Sequence, residues 1–287
     1  MTTNTSSLTF QRIFGSSTID ENVASWNRVF EKCAKPVCLY YIPPLLACYF
    51  VTHILLSKTT DWKDLKLQRL AGQVSMYPAF FVLIITSHVA TMDQQFWTGH
   101  EARFQASDWW CDTFANFYIA VNIVQALGQI QTEKPPLLYQ LMAHHVLSIF
   151  CYSCGFYFDR FRWWTTLAGC CELTNLFLVP VFMSKDYFPE WRKEYWFLIS
   201  SKFLWWTFVS HRMILFPCWL GLWAKDRVEN ATSEDHYVRI HWIEGSIYPL
   251  TILGLFLLSI VWLIQIDRGL KKQQKIYNEA QQEKKKL

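Results

Sequence analysis

The sequence predicts an all-α, polytopic membrane helix bundle of about seven transmembrane helices. Three observations lead there. The 287-residue chain is 52% hydrophobic and only 17% charged, whereas an ordinary soluble domain carries roughly a quarter charged residues. Its apolar residues come in blocks of about 20, the length that crosses a hydrocarbon core of roughly 30 Å. Aromatic residues make up 17% of the chain, as 22 Phe, 15 Trp and 13 Tyr. The composition excludes a disordered or highly charged chain. With a net charge of +4, no Gly-rich phosphate loop and no basic soluble domain, nucleotide hydrolysis and a nucleic-acid partner find no support.

Residues 1–35 are polar, with no apolar run before Ala34. They read as a luminal N-terminal segment without a cleavable signal peptide. The first span, 36–56, begins on Pro36, a residue tolerated in a first helical turn, and serves as its own insertion signal. Further spans are expected at 70–92, 110–130, 137–157, 163–183, 195–222 and 244–266. Pro43, Pro44, Pro180 and Pro217 fall inside them, where membrane helices accept kinks. No internal repeat or long linker appears, so residues 36–266 are read as one membrane domain and 267–287 as a basic cytosolic tail.

Positive charge sets the orientation. Segments 57–69, 131–136, 184–194 and 267–287 hold 4, 1, 3 and 7 Lys or Arg, against 1, 2 and 3 in 93–109, 158–162 and 223–243. The first set is therefore expected in the cytosol, with the C-terminus cytosolic and the N-terminus luminal. Both Asn-x-Ser/Thr sequons, at Asn4 and Asn230, then fall on the luminal side as glycosylation candidates. The ending Lys284-Lys285-Lys286-Leu287 fits a dilysine retrieval signal to the endoplasmic reticulum, with coat proteins as partners at Lys284 and Lys285. A basic tail drawn to anionic headgroups is the plainer reading of the same residues. The nine cysteines lie mostly within or beside spans and read as buried apolar thiols. Cys151-x-x-Cys154 has no second pair at zinc-ligand spacing, so no metal site is expected.

Ionisable residues inside spans are costly and mark functional candidates. They are His144 and His145 in the fourth span, Glu172 in the fifth, and Lys202, His211 and Arg212 in the sixth. Asn116, Asn122, Gln125 and Asn175 are their polar neighbours, while His53 and His88 read as lone structural residues. At 1.5 Å per residue, His144, His145, Asn122, Asn175 and Lys202 lie about 10–12 Å from the cytosolic ends of their spans, Glu172 about 16 Å and Arg212 about 25 Å. A neutral imidazole near a carboxylate is a competent general base, and could instead attack a thioester as a nucleophile. Glu172 is expected to orient it, Asn122 and Asn175 to support it, and Lys202 and Arg212 to contact substrate. The alternative is a buried polar network that only pins helix packing. A membrane di-iron oxygenase would need more His-rich boxes than the chain has.

His144-His145, Glu172 and the stretch His211-Arg212-Met213-Ile214-Leu215-Phe216-Pro217 resemble the TLC-domain family, which includes the ceramide synthases, over roughly residues 35–270. The next-span motif of ceramide synthases, His-Asp followed three residues later by Asp, reads here as Cys171, Glu172 and Asn175. The stretch His100-Glu101-Ala102-Arg103-Phe104-Gln105, then Trp110-Cys111 and Asn122, together with the dilysine ending, is similar to the ceroid-lipofuscinosis neuronal protein branch. The resemblance implies residence in the endoplasmic reticulum, cycling towards the Golgi, and a role in lipid homeostasis. It implies an acyltransferase that uses acyl-CoA as co-substrate, with membrane lipids, lysophospholipids or sphingoid bases as acceptors. Alternatives are a non-catalytic cargo receptor for luminal lysosomal enzymes, or a lipid-binding regulator. No bound cofactor is expected.

Overall fold

The computed structural model describes residues 19–59, 64–105, 108–232 and 242–286. Within them the chain is helical, with no strand. Seven long helices follow the apolar blocks: α1 (19–59), α2 (64–92, bent at Met76), α3 (Trp109–Thr132), α4 (Leu137–Tyr157), α5 (162–186), α6 (195–232) and α7 (Trp242–Lys286). Four stretches, Val23–Thr59, Leu65–Met92, Arg162–Asp186 and Gly245–Lys285, are long and apolar enough to cross a membrane. The other three helices, α3, α4 and α6, carry the Asn, Gln, His and Arg side chains that meet inside the bundle.

The outer faces suit lipid. α1 exposes Leu39, Phe50 and Ile54, and α7 exposes Leu250, Leu257, Val261 and Ile264. Water would make such rows an aggregation hazard, but acyl chains cover them at no cost.

Two boundaries differ from the sequence expectation. The first helix begins at Ile19, so residues 19–35 belong to α1 and not to a separate polar segment, and Pro36 lies inside the helix. Proline lacks an N–H and clashes with the carbonyl four residues back. Wider π turns at Phe30–Ala34 and Val37–Tyr41 absorb the misfit. The Lys32 carbonyl that Pro36 leaves unpaired accepts instead from Asn116 Nδ2 of α3 at 2.9 Å. The same device recurs in α5. Pro180 frees the Leu176 carbonyl, which accepts from the Tyr77 hydroxyl at 2.7 Å. Prolines thus create the acceptors that tie α1 to α3 and α5 to α2.

At the other end α7 runs unbroken for 45 residues, so residues 267–286 continue the last helix. Gln273 Nε2 donates to the Arg192 carbonyl at 2.5 Å, and the Tyr277 ring lies 5.9 Å from Tyr195. Lys284 and Lys285 are exposed in its final turns.

One core cluster packs α1, α2 and α3 through Phe80, Leu83, Phe114, Phe117 and Tyr118. The other is an aromatic box of Phe104, Phe161, Trp163, Trp164, Trp219 and Trp223 beneath the short helix His100–Gln105. Trp219 and Trp223 stack at 5.1 Å, and Trp164 meets each ring edge-on at 5.0 Å. A buried ion pair closes this end: Arg103 Nε and Nη2 donate to the two Asp226 carboxylate oxygens at 2.5 and 2.7 Å. All nine cysteines are free thiols, five of them buried. Asn230 lies in the last turns of α6, and Asn4 falls outside the described residues.

Candidate functional site

The polar residues of α3, α4, α5 and α6 converge. A close approach of α3 and α5 makes this possible at Gly169. A Cβ there would stand 2.0 Å from the Phe114 ring, so only glycine lets that ring lie on the α5 backbone. Immediately beyond, residues Cys170–Thr174 tighten into a 3-10 turn. This turn carries Glu172 under the Tyr118 hydroxyl, one helical turn after Phe114 on α3.

Glu172 is 6% exposed. Tyr118 Oη donates to its Oε1 at 3.3 Å, and Asn175 Nδ2 to its Oε2 at 2.5 Å. Arg212 is its charged neighbour. The Arg212 guanidinium is 9% exposed and lies between the Phe208 and Trp262 rings, 5.3 and 5.6 Å from their centroids. One Nη2 contact reaches Thr174 Oγ1 at 3.4 Å, and its Nε has no hydrogen-bond partner. A buried guanidinium with donors to spare is costly to maintain and is suited to an incoming oxygen.

The two histidines separate into different roles. His145 is 3% exposed and held at both nitrogens: Nδ1 is 2.7 Å from Asn122 Oδ1 and Nε2 is 2.9 Å from Gln129 Oε1. Asn122 is oriented by its own Nδ2, which donates to the Tyr118 carbonyl at 2.8 Å. Its Oδ1 therefore faces the ring, and His145 Nδ1 must be the donor. An amide side chain thus engages each ring nitrogen. No lone pair is left for chemistry. His144, adjacent on α4, is exposed. Its ring lies 5.4 Å from that of His145 and within electrostatic reach of Arg212. It makes no hydrogen bond among the described residues, so its lone pair is available.

The structure thus gathers Asn122, His144, His145, Glu172, Asn175 and Arg212. It does not bring in Lys202, which is exposed beside the exposed Phe203 on the outer face of α6. The expected carboxylate–imidazole contact is also replaced: among the described residues Glu172 bonds to Tyr118, Asn175 and the Cys171 thiol, and His145 to two amides. The sequence reading passed over Tyr118 and Gln129. Gln129 was findable, since Asn122, Gln125 and Gln129 recur at helical spacing along one side of α3. Tyr118 carried no such signal, because a tyrosine in an apolar span reads as core. Among the described residues no cluster of three His, Cys, Asp or Glu side chains could hold a metal.

No curated protein and no solved structure matches the chain. The family model for the TLC domain matches residues 16–268. That match covers all seven long helices apart from the polar end of α7 and contains every residue of the convergent group, so the chain belongs to the TLC-domain family.

Proposed function

We propose that this protein transfers an acyl chain from an acyl thioester, acyl-CoA, to a lipid acceptor bearing an amine or hydroxyl. The observation that carries the reading is His144: an accessible imidazole with a free lone pair, held beside a fully bonded partner histidine and near an under-bonded arginine. A general base must have an unshared lone pair within reach of its proton. His144 accepts the acceptor's N–H or O–H proton as that atom attacks the thioester carbonyl. The C–N or C–O bond forms, the C–S bond breaks, and the proton passes to the departing thiolate. Arg212, with its unbonded Nε, faces the charge that develops on the carbonyl oxygen, the kind of fixed donor that stabilises such a state. Glu172 keeps Arg212 neutralised. His145, Asn122 and Asn175 position the group.

The charge distribution and the basic tail support the endoplasmic reticulum membrane as the site of action, with the N-terminus luminal, the C-terminus cytosolic and Lys284 and Lys285 as a retrieval signal. The resemblance to the ceroid-lipofuscinosis branch supports a lipid-homeostasis context for this reading. The test is turnover by purified protein given acyl-CoA and a panel of lysophospholipids and sphingoid bases. His144→Ala is expected to abolish product while the thermal stability stays that of the wild type. An unchanged rate in His144→Ala refutes His144 as the base, whereas no acylated product with any acceptor refutes the enzyme and favours a cargo receptor for luminal enzymes.

A further inference from the structure

His88 and His211 stand alone in the sequence, on α2 and in the π segment Val209–Ile214 of α6. The fold brings their ring centroids to 5.6 Å and their Nε2 atoms to 3.4 Å. What each ring's other nitrogen faces fixes the tautomers. His88 Nδ1 lies 2.8 Å from the Ile84 carbonyl, which can only accept, so Nδ1 carries the hydrogen. His211 Nδ1 lies 2.7 Å from Ser210 Oγ, whose own hydroxyl donates to the Trp206 carbonyl at 3.0 Å. The same hydroxyl also reaches the Thr207 carbonyl, at 3.2 Å. The His211 Nδ1 is therefore a donor as well. Two Nε2 atoms without a hydrogen then lie 3.4 Å apart, a repulsive arrangement unless both meet a cation set off the line between them.

We propose that His88 and His211 form a two-histidine site for a divalent transition metal, with Zn2+ the ion whose geometry it fits. At a Zn–N distance of about 2.0–2.1 Å, the separation of the two nitrogens corresponds to an angle of about 110° at the metal, which is tetrahedral. Imidazole is a preferred ligand for this ion. Metal-binding histidines characteristically donate their remaining N–H to a carbonyl or similar acceptor, as both rings do here. The π turn that carries His211 is a backbone distortion found mostly at functional sites. Among the described residues no third His, Cys, Asp or Glu completes the site. Both rings are partly exposed, which leaves the two remaining positions to oxygen donors, either water or a lipid phosphate. A bound ion would fasten α2 to the π turn and, through it, hold Arg212, the next residue.

The experiment uses full-length protein purified in detergent on a tag without histidines. Zn2+ binding is followed by competition with a chromophoric chelator, in lipid-free detergent and with added phosphatidic acid. The expected result is about one Zn2+ per chain, weakened at least tenfold in His88→Gln and in His211→Gln and unchanged in His53→Gln. Tighter binding with phosphatidic acid assigns the outer positions to phosphate, and equal binding assigns them to water; either supports the site. Less than a tenth of an equivalent bound to wild type overturns it and leaves a proton between the rings. Co2+ added to wild type gives a reading independent of any variant: the intense visible absorption of a tetrahedral ion supports the site, and a weak octahedral spectrum overturns it.

Discussion

Replacing Asp226 by Ala tests what closes the aromatic end of the bundle. Asp226 is fully buried and Arg103 nearly so, and the pair is bidentate, with contacts of 2.5 and 2.7 Å. In Asp226→Ala the guanidinium keeps only its Nη1 donation to the Phe96 carbonyl at 2.8 Å. It is left as a buried charge with two donors unpaired. Breaking one side of a buried pair costs about 3–5 kcal/mol, a large share of the roughly 5–15 kcal/mol that holds a typical protein folded. At about 2–4 °C per kcal/mol, the melting temperature should fall by about 6 °C or more. The free, buried thiols of Cys111 and Cys151 give the assay: a thiol-reactive dye becomes fluorescent as they are exposed on heating in detergent. Asp226→Asn, which retains one acceptor, should fall between wild type and Ala. The double variant Arg103→Met, Asp226→Leu should recover most of the loss, because an apolar pair in a buried position needs no compensation. A melting point for Asp226→Ala within about 1 °C of wild type would refute the reasoning and show this pair to be solvated.

Two further predictions bear on the site and its surroundings. Gly169→Ala drives a methyl into the Phe114 ring, 2.0 Å away; overpacking of this kind costs about 1–3 kcal/mol. It should separate α3 from α5 and lower acyl transfer along with stability, and an active, fully stable variant would show that Tyr118 and Glu172 do not depend on this contact. Asp159 lies in the turn between α4 and α5. Its burial opposes ionisation, but the hydrogen bond and charge of Arg162, with Lys32, outweigh that and hold its carboxyl below the usual range. A depressed carboxylate contributes stability above its ordinary value near pH 4 and loses it as pH falls through the folded one. Wild type should therefore lose melting temperature below about pH 4 more steeply than Asp159→Asn, and parallel pH profiles would contradict the assignment.

The sequence made the helices and half of the site legible for identifiable reasons. Apolar blocks long enough to span lipid are unambiguous, and ionisable residues inside them are too costly to be incidental, so His144, His145, Glu172 and Arg212 stood out. Which histidine is accessible was not legible, because adjacent residues differ by about 100° in direction and only the neighbouring helices decide what each meets. Lys202 and Arg212 share a helix yet not a surrounding, since the π turn at Val209–Ile214 shifts the register between them. His88 and His211 lie 123 residues apart, and nothing local in either stretch announces the other. Pro36 shows the opposite failure. It reads as a helix start, and only the accepting partner it creates for Asn116 explains how it can sit within one.

α7 joins two places treated separately above. Trp262 lies against the Arg212 guanidinium, and the same unbroken helix continues to Lys284. The 22 residues between them span about 33 Å, with Gln273 resting on Arg192 and Tyr277 on Tyr195 along the way. These two contacts act as a fulcrum. They lie about 17 and 23 Å along the helix from Trp262 and about 17 and 11 Å from Lys284, so a movement of the tail pivots on them and reaches the Trp262 ring. A tilt of the tail then moves that ring over the arginine, which couples the exposed end of α7 to the buried polar group.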